Sequence, residues 1–86
     1  MTTVKKIRDK LNSLAPESLD IIDESSKHAG HAGAKGGGHY AVTIVSRAFA
    51  GKDTMLRHRM VYGTLADMMH REIHALSIKA YTPDEI

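Results

Sequence analysis

The chain has 86 residues, a formal net charge of +2, and ordinary shares of hydrophobic (42%) and charged (26%) residues, enough for one domain with one modest core. It has no cysteine, which excludes a disulfide, a thiolate nucleophile, a Cys-type zinc finger and an iron–sulfur cluster held by this chain alone through thiolates. A charge of +2 permits contact with nucleic acid but does not argue for it.

Val4, Ile7, Leu11 and Leu14 recur at helical spacing, with Lys5, Lys6, Arg8 and Lys10 between them, and predict an amphipathic first helix with a basic outer face. Pro16 prevents it from running on. The same segment lacks the continuous apolar run of a secretory signal, and no later stretch is apolar enough to span a bilayer, so the expected location is the cytoplasm or an organelle matrix. SLDIIDE reads as a short strand, with Leu19, Ile21 and Ile22 as its apolar content. A long glycine- and histidine-rich loop follows from Ser25 to Gly38. HYAVTIVS is the clearest strand, with Tyr40, Val42 and Ile44 alternating against Ala41, Thr43 and Val45.

Asp53 or Thr54 is a plausible N-cap for a second helix running through MLRHRMVYGTLADMMHREI, with Val61, Leu65 and Met68 as its core stripe. HALSIKAY is the third strand. TPDEI opens a last helical turn, with Thr82 as N-cap and Pro83 at the first helical position. The order α-β-β-α-β predicts one α/β domain over residues 1–86. Its first two strands pair antiparallel across the loop, and the third returns by a right-handed helical crossover to lie parallel to the second. Both helices then cover one face of a three-stranded mixed sheet, an α+β sandwich.

The stretch SSKHAGHAGAKGGGHY carries five of the seven glycines and three of the six histidines, and is longer than a hairpin needs. One reading is a solvated flexible tether; the other is a functional loop. Its two GxxG matches, at Gly30–Gly33 and Gly33–Gly36, lie between two strands, whereas the nucleic-acid clamp of that form lies between helices. GAKGGG lacks the GK[ST] ending of a phosphate loop and precedes a strand, not a helix.

His28 and His31 are separated by two residues, and His39 stands at the strand entrance, but a histidine pair alone does not make a closed metal site. His74, at the start of the third strand, reads by itself as a half-buried histidine bonded to backbone. His58 falls on the core-facing edge of the second helix, where packing is the simpler role. Arg57 and Arg59 sit near that helix's start, where cations oppose its dipole, so each needs a phosphate, a carboxylate such as Asp53, or a partner protein. No activated nucleophile or paired acid and base can be assembled, so the chain does not read as an enzyme.

DESSKHAGH, HYAVTIVSRAFAGK, LRHRMVYGTLADMM and IHALSIKAYTPDE together resemble the BolA family over essentially the whole chain. The resemblance implies a fold akin to the class II KH domain. It also implies an adaptor that pairs with a monothiol glutaredoxin of the CGFS type and shares a bridging [2Fe–2S] cluster with it and glutathione, in iron–sulfur trafficking or iron and redox regulation. Carried onto this sequence, the ligands are His74 and, just after DES, His28, with His31 as a competing loop ligand. No cluster is expected in the isolated protein, which reads as a monomer or weak homodimer. The alternative function is a DNA-binding transcriptional regulator using Arg47, Lys52, Arg57 and Arg59 around the start of the long helix.

Overall fold

Thr2 starts the first helix, its hydroxyl accepting the Lys5 N–H at 3.1 Å, and α1 runs from Thr3 to Leu11. A 3-10 turn, Asn12–Leu14, tightens its end, and Ala15 leaves in the left-handed conformation, so the helix stops before Pro16 acts. Ile7 and Leu11 are fully buried, as their spacing predicts. The basic flank is spent partly within the molecule: Lys6 pairs with Glu72 at 3.1 Å and Lys10 with Asp67 at 2.8 Å. The structure is a computed structural model and describes residues 2–25 and 38–86.

Three strands form one sheet in the order β1 (Ser18–Asp23), β2 (Gly38–Val45), β3 (Ile73–Tyr81). β1 pairs antiparallel with β2, from Ser18 opposite Val45 to Asp23 opposite Tyr40. β3 pairs parallel with β2 on its other side. Alternation places Tyr40, Val42 and Ile44 of β2 on one buried face. There they join Ile78 of β3, Ile7 and Leu11 of α1, and Val61 of α2 (Thr54–Thr64) in a single core. Both helices therefore cover the same face, as the element order predicts.

The second helix is shorter than its periodicity predicts. Asp53 is its cap, accepting the Leu56 N–H at 2.9 Å, but helical geometry ends at Thr64 and not at the strand entrance. The Thr64 hydroxyl turns back to donate to the Met60 carbonyl at 2.9 Å, and the Leu65 N–H is shared between the carbonyls of Val61 and Tyr62. Residues 65–72 then form tight turns in which His70 takes a left-handed φ of 66°. Leu65 and Met68 nevertheless reach the core as expected, because the turns keep them beside the last helical turn.

Between β2 and α2, Ser46 caps a 3-10 turn, Arg47–Phe49, that drives Phe49 fully into the core. A last 3-10 turn, Pro83–Glu85, follows β3, with the Thr82 N–H donating to the Glu85 carboxylate at 2.8 Å. Among the described residues no helix is long and apolar enough to cross a membrane.

Candidate functional site

β2 and β3 slip by one residue at the start of their pairing. Gly38 faces Ile73, but His39 faces Ala75, so His74 is an extra residue on β3. Such a bulge turns its extra residue away from the direction that strict alternation dictates. Ile73 stays fully buried while His74 is exposed and lies against His39, ring centres 5.4 Å apart and planes tilted by 41°. The half-buried, backbone-bonded reading of His74 is thus corrected: the bulge presents its imidazole at the surface.

The backbone around this pair is tightly tied. The Gly38 N–H donates to the Glu72 carbonyl at 3.0 Å, and the Glu24 N–H donates to the His39 carbonyl at 2.8 Å. The His39 N–H donates to the Ser25 hydroxyl at 3.1 Å, and the Ser25 N–H donates to Asp23 at 2.9 Å. Hydrogen bonds from the Ser25 side chain and backbone hold the Asp23 carboxyl below the usual carboxylate range. A Cβ at Gly38 would collide with the Ser25 hydroxyl and press on the Tyr40 ring, so a larger residue here requires those side chains to shift. Ser25 and Gly38, the two ends of the histidine-bearing segment, therefore meet beside His39 and His74. His28, His31 and the proposed flexibility of the segment lie outside the described residues.

Among the described residues no three His, Asp or Glu side chains gather as a metal site. Sequence reasoning placed His39 at the strand entrance without giving it a role. The bulge that brings it to His74 has no signature beyond Gly38, which reads equally well as part of the loop.

The basic residues do not act alike. Arg57 is half-buried and donates to the Lys52 carbonyl at 2.8 Å, to the Ala80 carbonyl at 3.1 Å, and to both oxygens of Glu85 at 2.7 and 2.9 Å. The carboxylate it needs is thus Glu85, twenty-eight residues on, and not Asp53. Arg47 is exposed and donates to Glu17 at 2.9 Å. Arg59 is exposed and Lys52 half-buried. His58, on α2, is also half-buried.

The fold and the sequence have relatives. A family model described as BolA-like protein matches residues 11–85. The chain is 43% identical to SufE-like protein 1, chloroplastic/mitochondrial, of Arabidopsis thaliana over 94% of its own length, but spans only 24% of that protein. It is also 43% identical to the DNA-binding transcriptional regulator BolA of Vibrio cholerae, over 94% of this chain and 72% of that one. Among solved structures, BolA1 from Arabidopsis thaliana superposes with a TM-score of 0.87 at 40% identity, over 100% of this chain and 97% of that chain. This is an α+β domain of two helices on a three-stranded mixed sheet. The chain belongs to the BolA-like family.

Proposed function

We propose that this BolA-like protein is a non-enzymatic adaptor that pairs with a monothiol glutaredoxin and shares a [2Fe–2S] cluster as cargo in iron–sulfur trafficking or iron and redox regulation. The observation that carries the reading is His74, turned outward by the β3 bulge next to the clamped ends of the histidine-bearing segment. The donor chemistry fits a shared cluster and not a resident one. A [2Fe–2S] cluster takes four ligands, commonly thiolates, with histidine replacing some of them in Rieske-type centres. This chain has no thiolate to give, so His74 and one histidine of the segment, His28 or its neighbour His31, would supply nitrogen donors. The partner and glutathione would supply sulfur. When bound, the cluster carries one electron, at a potential raised by histidine ligation.

The protein's own residues do the positioning. Pairing of its neighbours Ile73 and Ala75 with β2 places His74 in β3, while the contact between Ser25 and His39 fixes where the segment leaves and re-enters the sheet. One ligand on β3 and another from the segment between β1 and β2 suit a site completed only on docking. The test is visible absorption and circular dichroism of cluster-loaded glutaredoxin with glutathione as this protein is added. A new spectrum saturating at one-to-one, altered by His74→Ala and by His28→Ala or His31→Ala, is the expected result. An unchanged spectrum at every ratio would sink the reading.

A second reading is favoured by the name of the Vibrio relative, a DNA-binding transcriptional regulator. Arg59, exposed on α2, and Lys52, which precedes that helix, would then meet phosphates together with Arg47. Under this reading binding to duplex DNA weakens steeply with salt, whereas His74→Ala leaves it unchanged.

A further inference from the structure

His39 is not needed by the reading above, yet it stands against His74. We infer that His39 and His74 form a two-imidazole chelate for a borderline divalent transition-metal cation, zinc or copper(II), on the glutaredoxin-free chain. The inference stands apart from the cluster reading, because it requires neither iron nor a partner.

The argument is geometric. Imidazole nitrogen binds zinc at about 2.0–2.1 Å, and two imidazoles at tetrahedral angles around one ion have ring centres roughly 5 Å apart. The observed separation is 5.4 Å, with the planes already inclined by 41° and not stacked flat. The ring separation thus matches that of two imidazoles sharing one ion.

His39 is held by Ser25 and Glu24, and His74, although it faces no residue of β2 itself, is flanked by Ile73 and Ala75, which do. A chelate built on strands loses little freedom when it binds. The exposed His74 ring gives the ion access from solvent and leaves its remaining positions to water or a further donor. Imidazole donors suit zinc and copper better than magnesium or calcium, which favour oxygen.

The test is calorimetric titration of Zn²⁺ and, separately, Cu²⁺ into the full chain, with electron paramagnetic resonance of the copper complex. One equivalent should bind, copper more tightly than zinc, with coupling to imidazole nitrogen. His39→Gln and His74→Gln should each weaken binding by roughly tenfold or more, the loss expected when a ligand set is broken. His70→Gly should leave affinity unchanged. In the unaltered protein, substoichiometric Cu²⁺ should broaden the ring protons of His39 and His74 in the NMR spectrum, a readout that needs no variant to fold. Affinity indifferent to His39→Gln, broadening confined to His28 and His31, or no uptake of either cation would overturn the chelate.

Discussion

Arg57 holds Glu85 with two parallel hydrogen bonds, of 2.7 and 2.9 Å, and so ties the start of α2 to the last turn of the chain. The same guanidinium donates to the Ala80 carbonyl at the end of β3, so one side chain joins helix, strand and terminal turn. Bidentate pairs of this kind are shorter and more directional than ordinary surface ion pairs. The consequence is a pH-dependent clamp. The Arg57 hydrogen bonds first, and the Thr82 N–H second, lower the Glu85 carboxyl from its ordinary 4.5 to about 2. A carboxyl depressed on folding adds stability above its unfolded pKa and loses it as pH falls through the folded value. Glu85→Gln should therefore lower Tm at neutral pH, and its deficit relative to the unaltered protein should shrink between pH 4.5 and about 2. Thermal melts across that range check it; a deficit independent of pH would mean that the carboxylate charge is not what stabilises.

The same geometry separates Arg57 from Arg59 as DNA contacts. Arg59 is exposed, whereas Arg57 has its donors committed to Glu85, Ala80 and Lys52. If the second functional reading holds, Arg59→Ala weakens DNA binding and reduces the slope of log affinity against log salt by about one. Arg57→Ala lowers Tm and leaves that slope nearly unchanged. Fluorescence anisotropy at several salt concentrations, beside a melt of each variant, distinguishes the two. An equal loss of slope in both would return Arg57 to the nucleic-acid surface.

Gly38 tests whether the clamp at the ends of the histidine-bearing segment matters. A methyl group there meets the Ser25 hydroxyl and the Tyr40 ring, and the Ser25 hydroxyl is what accepts the His39 N–H. Gly38→Ala should destabilise by about 1–3 kcal/mol, the usual cost of overpacking a tight site. It should also speed hydrogen exchange at the His39 amide more than at Val42, deeper in the same strand. Equal protection at both amides would show that the site yields without loosening.

Much of the architecture was legible because it rests on periodicity. Val42 and Ile44 on one strand, and Ile7 and Leu11 on one helix, declare their buried faces by spacing alone, and the element order then constrains the sheet. The end of α2 was not legible. Leu65 and Met68 keep apolar spacing past Thr64, and the residue that takes the left-handed turn is His70, where glycine would have signalled it. The candidate site was half legible: the resemblance selected His74, but a one-residue slip in strand pairing leaves no periodic trace, so the approach of His39 to His74 emerges only with tertiary structure. The partner of Arg57 was missed for a similar reason, since Glu85 is brought to it by the parallel return of β3 and not by sequence proximity.

His70 follows directly from that misread helix end. It is exposed and holds a φ of 66°, a conformation that costs a residue with a Cβ about 1–2 kcal/mol and glycine very little. His70→Gly should therefore stabilise by up to about 1 kcal/mol, after allowing for the greater freedom of glycine in the unfolded chain. Urea denaturation measures it. A loss of stability would show that the His70 side chain makes a contribution larger than the relieved strain.

Ser46 offers a case where one hydroxyl serves two elements. It is 1% exposed, donates to the Leu14 carbonyl at 2.6 Å and accepts the Ala48 N–H at 3.1 Å. Its position ties the turn after α1 to the turn that seats Phe49 in the core. Ser46→Ala removes the hydroxyl without removing its partners, leaving a carbonyl and an N–H to find others or go without. Unsatisfied groups of this kind cost about 1–3 kcal/mol, more than the net worth of a bond between two groups that water could also serve. The loss should appear in chemical denaturation as a lower midpoint at unchanged slope, because the amount of surface exposed on unfolding is the same. Ser46→Thr retains the hydroxyl but adds a methyl in a filled site, so it should recover only part of that loss. If alanine were tolerated as well as serine, the link between the two turns would be held by Phe49 packing alone, and Phe49→Ala would then be the variant that separates them.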